Sequence, residues 1–316
     1  MKGKLLVILI LISIPAVLFL TKKKESIDLI SGCVPLTGNL KEYRETLIYN
    51  YDFEPNWKPI TKMELSSQPE VIGSAGLLVD IGSGEVLFEK NPHEQRKIAS
   101  LVKIMTAVVA LEHAPLDREI EVSYEAAVVG ENAMGLTPGE TYTLEELLYG
   151  LILTSGNDAA YAIAEGVAGD EETFVGWMNI KAKELGLKDT YFADPSGLDD
   201  STYSTAFDLV KLTKYALKDP EFRRIVSTFE MEVFGDEHKY IYLQNQTNLL
   251  TTYPGVAGVK TGFTEAAGLC LVTYAKNDGK ELVGVVLNSI DRKGDMILML
   301  DWGFSSLGIN ITHNLL

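Results

Sequence analysis

The order of segments along the chain predicts an α+β fold: an antiparallel sheet of about five strands, flanked by helices and carrying a helical lobe. Three observations lead there. Two strand-like segments joined by a glycine turn open the patterned region, helical segments fill residues 101–218, and further strands run into a closing helix at 295–304. Strands and helices are thus segregated instead of alternating regularly, as a parallel sheet would require.

Each element has a local cause. Ser74–Asp80 and Glu85–Lys90 flank Gly82-Ser83-Gly84 as a hairpin. Leu101–His113 is apolar almost all round, which predicts a helix buried on several sides. Thr143 and Glu146 stand at capping-box spacing before a helix reaching Leu153, and Asp158–Val167 continues as a helix after the polar break Thr154–Asn157. Thr173–Leu185 and Thr205–Lys218 read as helices, the second ended by Asp219-Pro220. Thr228–Phe234 alternates, turns at Gly235-Asp236 and returns as His238–Leu243. Ala257–Phe263, Gly268–Lys276 and Glu281–Asn288 are strands, the last two joined by Asn277-Asp278-Gly279. Asp295–Phe304 closes as a helix, and the expected assembly places the first and last helices together on one face, with the lobe on the other.

Composition narrows the function. The chain has 316 residues, 46% hydrophobic, and a net charge of -16, with no basic stripe for nucleic acid. Its two cysteines, Cys33 and Cys270, support neither a metal knuckle nor a disulfide framework, and Cys270 lies in an apolar run as a buried thiol. His93, His113, His238 and His313 show no zinc-ligand spacing. No metal and no cofactor are called for.

The N-terminal residues 1–24 read as a membrane anchor or a signal peptide. Lys2 and Lys4 precede Leu5–Leu20, which carries no charge. Sixteen helical residues reach about 24 Å, short of the ~30 Å hydrocarbon layer, and snorkelling of Lys22, Lys23 and Lys24 makes up the difference. No small-x-small cleavage site follows directly, which favours an uncleaved anchor over a removed signal. Leu29–Cys33 has the look of a lipobox set too far beyond the apolar run. Residues 25–70, with Pro35, Pro55, Pro59 and Pro69, read as a linker or stalk before a catalytic domain at 71–308.

Three strings carry the chemistry: Ser100-Leu101-Val102-Lys103, Ser155-Gly156-Asn157 and Lys260-Thr261-Gly262. Residues three apart on a helix share a face, so Lys103 can take the proton of Ser100. To act as base it must be largely neutral near pH 7, which burial and the nearby cation Lys260 would favour. Ser100 at a helix start has unpaired N–H groups nearby, suited to an oxyanion. Ser155, at a break between helices, can relay a proton, and Asn157 can bond a substrate amide. Strand alternation puts Lys260 and Gly262 on one face and Thr261 on the other, with Thr261 reaching the cleft only through twist and an edge position. Gly262 lets a substrate backbone approach closely. Taken singly, the strings are equally a capped helix, a turn and a strand end; their order and placement reverse that.

The set resembles the penicillin-binding protein and serine β-lactamase group, in which S-x-x-K is followed by S-x-N and K-T-G. Gly135–Glu140, Leu147–Ala160, Pro195–Asp199, Tyr203–Ala206 and Tyr253–Gly268 further resemble the low-molecular-mass D-alanyl-D-alanine carboxypeptidases, over about residues 74–305. The resemblance implies the β-lactamase/transpeptidase-like fold and removal of the terminal D-alanine from peptidoglycan stem peptides. Ser100 would be the nucleophile and Lys103 the base, with the N–H groups of Ser100 and Phe263 holding the oxyanion. Lys260, as a fixed charge, and Thr261 would hold the substrate carboxylate. β-Lactams would acylate Ser100, and the domain would lie outside the cytoplasmic membrane.

Two departures stand out. The 54 residues after Gly262 leave no room for the family's second, all-β domain. The asparagine stretch before K-T-G is altered, with Gln246-Thr247-Asn248-Leu249-Leu250 in its place. The alternatives are a serine β-lactamase, disfavoured because no E-x-x-L-N string supplies a deacylating glutamate, and an inactive membrane-tethered binding protein of the same fold.

Overall fold

The computed structural model describes residues 57–60 and 68–315. The segment expected at 1–24 and most of that expected at 25–70 lie outside these residues. Where 25–70 is described, it is not a free stalk. Ile60 N–H donates to Gly84 O at 2.7 Å and its carbonyl accepts from Val86 at 3.0 Å, so Trp57–Ile60 lies against a sheet edge. Gln68 Oε1 likewise accepts from Glu89 N–H at 2.9 Å.

Five strands form the main sheet: β1 (Ala75–Asp80) and β2 (Glu85–Lys90) from the start of the domain, and three long ones from its end. Between them come α1 (Lys103–His113), β3 (Glu119–Glu121), α2 (Tyr124–Ala127), β4 (Thr141–Thr143), α3 (Leu144–Leu153), α4 (Asn157–Ala168), α5 (Glu171–Glu184), α6 (Ala206–Ala216) and α7 (Pro220–Val226). Then follow the hairpin β5 (Glu230–Val233) and β6 (Ile241–Gln244), a single turn α8 (Leu249–Thr252), β7 (Val256–Thr264), β8 (Gly268–Asn277), β9 (Lys280–Ser289) and α9 (Arg292–Ser306).

The sheet order is β2-β1-β9-β8-β7, every pair antiparallel. The first hairpin joins the last strand through Ala75↔Leu287 to Asp80↔Leu282, which closes the two ends of the domain on each other. The β8–β9 turn has both Asp278 (φ 45°) and Gly279 (φ 76°) in the left-handed region, the twist-compatible hairpin geometry. β7 is left at an edge.

The two sheet faces bury different partners. On one, Met296, Ile297, Met299, Leu300 and Phe304 of α9 pack on Leu78, Leu87, Leu271, Leu282 and Val286. The other carries Leu77, Val79, Val272, Val283 and Val285 against the helical lobe. Here the expected pairing of first and last helices is corrected. α1 is buried along Lys103–Ala110 and packs against α3, α4, α5 and α6 in the middle of the lobe. A helix apolar on all sides needs neighbours all round, which a sheet face alone cannot supply.

Other boundaries follow their chemistry. Thr143 and Glu146 form a full capping box on α3. Asp219-Pro220 does not simply end a helix. Asp219 caps α7, and Pro220 occupies its first turn, where no N–H is needed. The three-residue strands β3 and β4 are too short to leave a periodic signal. Among the described residues no helix is long and apolar enough to cross a membrane.

Candidate active site

Ser100 lies in a 3-10 turn, Ala99–Val102, that feeds α1, one turn ahead of the helix proper. In such a turn residues three apart eclipse, which brings Lys103 beneath Ser100. Ala99, immediately before the serine, has φ 48°, a left-handed conformation costly for a residue with a Cβ. Two neighbours hold it there. Gly197 lies so close that a Cβ would come within 2.1 Å of Ala99 O, and one at Gly262 would come within 2.9 Å of Ile98 O and 3.3 Å of Ser100 N. The close approach that Gly262 allows is therefore to the turn that carries Ser100, where a substrate backbone was expected.

Lys103 is fully buried, and its Nζ has three partners: Ser100 Oγ at 3.0 Å, Asn157 Oδ1 at 2.7 Å and Ser196 O at 2.7 Å. The two carbonyl oxygens can only accept. They take both N–H groups of a neutral amine and leave its lone pair directed at the Ser100 hydroxyl. Burial lowers the pKa of Lys103 to about 7, against an upward pull from Asp194, Asp158 and Glu131. The lysine is thus poised between its two forms near neutrality.

Lys260 was expected to be a fixed cation that lowers Lys103. The structure reverses this. Lys260 is itself buried, its Nζ donating to Thr261 O at 3.0 Å, and its pKa falls well below the ordinary lysine value through burial, then through repulsion by Lys103 and Arg292. Two neighbouring ammonium groups out of water cannot both keep their charge. Lys103 has three carboxylates in its favour, so Lys260 is the one that yields until an anion arrives.

Asn157 also departs from expectation. Its Oδ1 holds Lys103 and its Nδ2 donates to Gly130 O at 2.9 Å, so the carboxamide is engaged within the protein on both sides. Ser155 is close in sequence but bonds neither lysine. It has φ 60°, and its Oγ is buried with no hydrogen-bond partner among the described residues. A buried unpaired hydroxyl costs about 1–3 kcal/mol, which a substrate atom can recover.

β7 supplies the opposite wall. Thr261 lies on the sheet face shared with Leu271, and lines a cavity of about 170 Å³ together with Thr247, Asn248, Leu269, Ile290 and Arg292. Lys260 and Gly262 lie on the opposite face, toward the turn that carries Ser100, and Phe263, 57% exposed, follows at the rim. The structure therefore joins Ser100, Lys103, Asn157 and Gly262 directly, with Ser155, Lys260 and Phe263 adjoining. Thr261 stands around the strand edge. Among the described residues, no group of three His, Cys, Asp or Glu side chains is placed to hold a metal.

A family model for D-alanyl-D-alanine carboxypeptidases (peptidase S11) matches residues 62–291. The chain belongs to this family. It is 38% identical over 240 residues to the D-alanyl-D-alanine carboxypeptidase DacF of Bacillus subtilis, covering 73% of this chain and 62% of that one. It is 34% identical over 246 residues to DacB2 of Mycobacterium tuberculosis, covering 75% and 84%. The crystal structure of the Streptomyces K15 DD-transpeptidase superposes with a TM-score of 0.72 at 32% identity, over 76% of this chain and 99% of that one.

This member of the carboxypeptidase family uses residues that no single string marks. Asp194 accepts from the N–H groups of Ser196 (3.0 Å), Gly197 (2.5 Å) and Asp199 (2.7 Å), folding the loop that offers the Ser196 carbonyl to Lys103. Thr106 of α1 ties that loop down by donating to Pro195 O at 2.6 Å. Asp158 gathers the N–H groups of Met134, Gly135 and Leu136 at 2.7–3.0 Å, fixing the segment beside Gly156. Arg292, at the start of α9, donates to Gly262 O at 2.7 Å and Cys270 O at 3.3 Å. The Pro195–Asp199 string pointed to the loop; nothing local pointed to Arg292. Gln246, in the altered stretch, donates to Thr154 O at 2.9 Å, which ties that stretch to the residue preceding Ser155.

Proposed function

We propose that the chain is a serine D,D-carboxypeptidase that removes the terminal D-alanine of peptidoglycan stem peptides through an acyl-enzyme on Ser100. The observation that carries this reading is the coordination of Lys103: two acceptor-only oxygens and one hydroxyl leave a neutral amine a single use for its lone pair.

Ser100 Oγ attacks the carbonyl between the two D-alanines, and its proton passes to Lys103 Nζ. The oxyanion is held by the N–H groups of Ser100 and Phe263, a reading supported by the close approach of the neighbouring Gly262 to the turn of Ser100. The C–N bond breaks as the leaving amine takes a proton from Lys103, and the buried, unpaired hydroxyl of Ser155 supports a relay through that side chain. Water then attacks the ester, giving its proton to Lys103, and Ser100 is restored. The substrate carboxylate returns the charge to Lys260 at the edge strand β7, and Thr261 adds its hydroxyl where the carboxylate reaches round that edge. A β-lactam enters by the same attack and stays as a covalent adduct. The uncharged stretch Leu5–Leu20 supports tethering at the outer face of the cytoplasmic membrane, or export across it, where the cell wall is met.

Ser100→Ala tests the reading. It is expected to abolish both labelling by fluorescent penicillin and D-alanine release from a pentapeptide; a variant that still labels covalently shows that the nucleophile lies elsewhere.

A further inference from the structure

Away from the catalytic groups, the β5–β6 hairpin exposes an unusual face. Its inner residues Val233, Ile241 and Leu243 are buried against the lobe, with Met231 half-buried beside them. The outer side forms two rungs in register, Glu230 with Gln244 and Glu232 with Tyr242, and Phe234 and Tyr240 follow just beyond the paired residues. Tyr240, Tyr242 and Phe234 are 58%, 48% and 70% exposed. Each tyrosine is braced by a carboxylate one rung away, Tyr242 Oη donating to Glu230 at 2.6 Å and Tyr240 Oη to Glu232 at 3.2 Å. Successive rungs stand about 7 Å apart, so Tyr240 and Tyr242, two residues apart along the chain, present neighbouring rings at about that spacing.

We propose that this strip is a second binding surface, and that its occupant is the glycan strand from which the stem peptides branch. The inference rests on the carboxypeptidase reading of the site. The flat apolar face of a sugar ring stacks on tyrosine rings already oriented by their hydroxyls, which lose little rotamer freedom on binding. The free oxygens of Glu230 and Glu232 accept hydrogen bonds from sugar hydroxyls. A chain of net charge -16, with two carboxylates on this face, does not attract an anionic polymer.

Continuity with the site selects the same occupant. β6 runs directly into Gln246, whose N–H donates to Leu153 O at 3.1 Å and whose side chain reaches Thr154 O, next to Ser155. Tyr242 and Gln246 are four residues apart, β6 ending between them at Gln244, which puts them at most about 13 Å apart. A peptide branch of four residues spans about 13–14 Å. A strand resting on the tyrosines can therefore direct its own peptide branch to the Gln246–Thr154 edge of the site.

The test uses the full chain in detergent with Tyr240→Ala/Tyr242→Ala, and a second variant, Glu230→Gln/Glu232→Gln. Three readouts are compared: D-alanine release from intact sacculi, D-alanine release from a free pentapeptide, and co-sedimentation with peptide-free glycan strands. The tyrosine variant is expected to lose about tenfold on sacculi and to stop sedimenting with glycan, while pentapeptide turnover and penicillin acylation stay unchanged. The glutamate variant should lose a smaller part of both glycan readouts. Equal loss on both substrates, no loss on sacculi, or a tyrosine-dependent self-association of the wild type would each overturn the proposal. If the wild type fails on the pentapeptide, the catalytic reading falls, and glycan sedimentation alone still decides the strip.

Discussion

Asn157 and Lys103 are joined by a 2.7 Å hydrogen bond from Nζ to Oδ1, while Nδ2 of the same carboxamide donates to Gly130 O. Asn157 thus positions the Lys103 amine and fixes where the lone pair of its neutral form points. Because Oδ1 is neutral, it orients Lys103 without holding it in the charged form.

That relationship predicts the effect of Asn157→Asp. A carboxylate at the same place favours the ammonium, so the pH midpoint for acylation by a chromogenic β-lactam should move upward by on the order of one to three units. Wild-type acylation should rise through pH about 7 as Lys103 loses its proton. A midpoint that stays put in the variant would show that another group limits the rate.

Asp194→Asn should move the same midpoint the other way. The Asp194 carboxylate pulls Lys103 upward, and neutralising it leaves burial less opposed. The variant also weakens three backbone hydrogen bonds that fold the 194–199 loop, at a cost of about 3 kcal/mol. Chemical denaturation alongside the pH profile separates the two effects, and an upward midpoint contradicts the prediction.

Lys260→Met should abolish turnover yet stabilise the fold. The folded pKa of Lys260 lies well below its unfolded value, so at neutral pH the unfolded chain binds an extra proton and is favoured. Removing the amine lifts this penalty, so the variant is expected to melt at a higher temperature than the wild type at pH 7. The gain should shrink as pH rises toward the unfolded lysine value of about 10.4, where both states are neutral. Melting curves of both proteins at pH 7 and pH 10 check it; a gain that grows with pH refutes it.

Gly197→Ala and Gly176→Ala should behave oppositely. At Gly197, φ is 86° and a Cβ meets Ala99 O at 2.1 Å, so the variant must displace the turn that carries Ser100. A loss of about 3 kcal/mol or more and of penicillin labelling is expected. Gly176 is exposed in α5 with nothing within 4 Å of a Cβ, and alanine there should add about 1 kcal/mol without touching acylation. Thermal melts and labelling gels on both variants read the contrast.

Much of the molecule was legible from local chemistry. The hairpins at Gly82-Ser83-Gly84 and Asp278-Gly279, the capping box at Thr143 and Glu146, and the apolar run after Leu101 each carry their cause within a few residues. So does the spacing of Ser100 and Lys103, because helical geometry alone makes them neighbours. What escaped depends on contacts between distant segments. The sequence has no means of saying that the Ser196 carbonyl, 93 residues on, completes the environment of Lys103, or that Arg292 braces the strand carrying Gly262. It likewise leaves open the charge of Lys260, which burial and two facing cations decide.

The amino-acid sequence by itself determined the order of elements, the reactive residue types and the α+β class, since periodicity, caps and turns act over a single turn or strand. Tertiary structure alone decided the partners of the Lys103 amine, the carboxamide that orients it and the charge of Lys260. Desolvation and hydrogen-bond partnership arise only when far parts of the chain are packed together, and these set the chemistry of an otherwise ordinary serine and lysine.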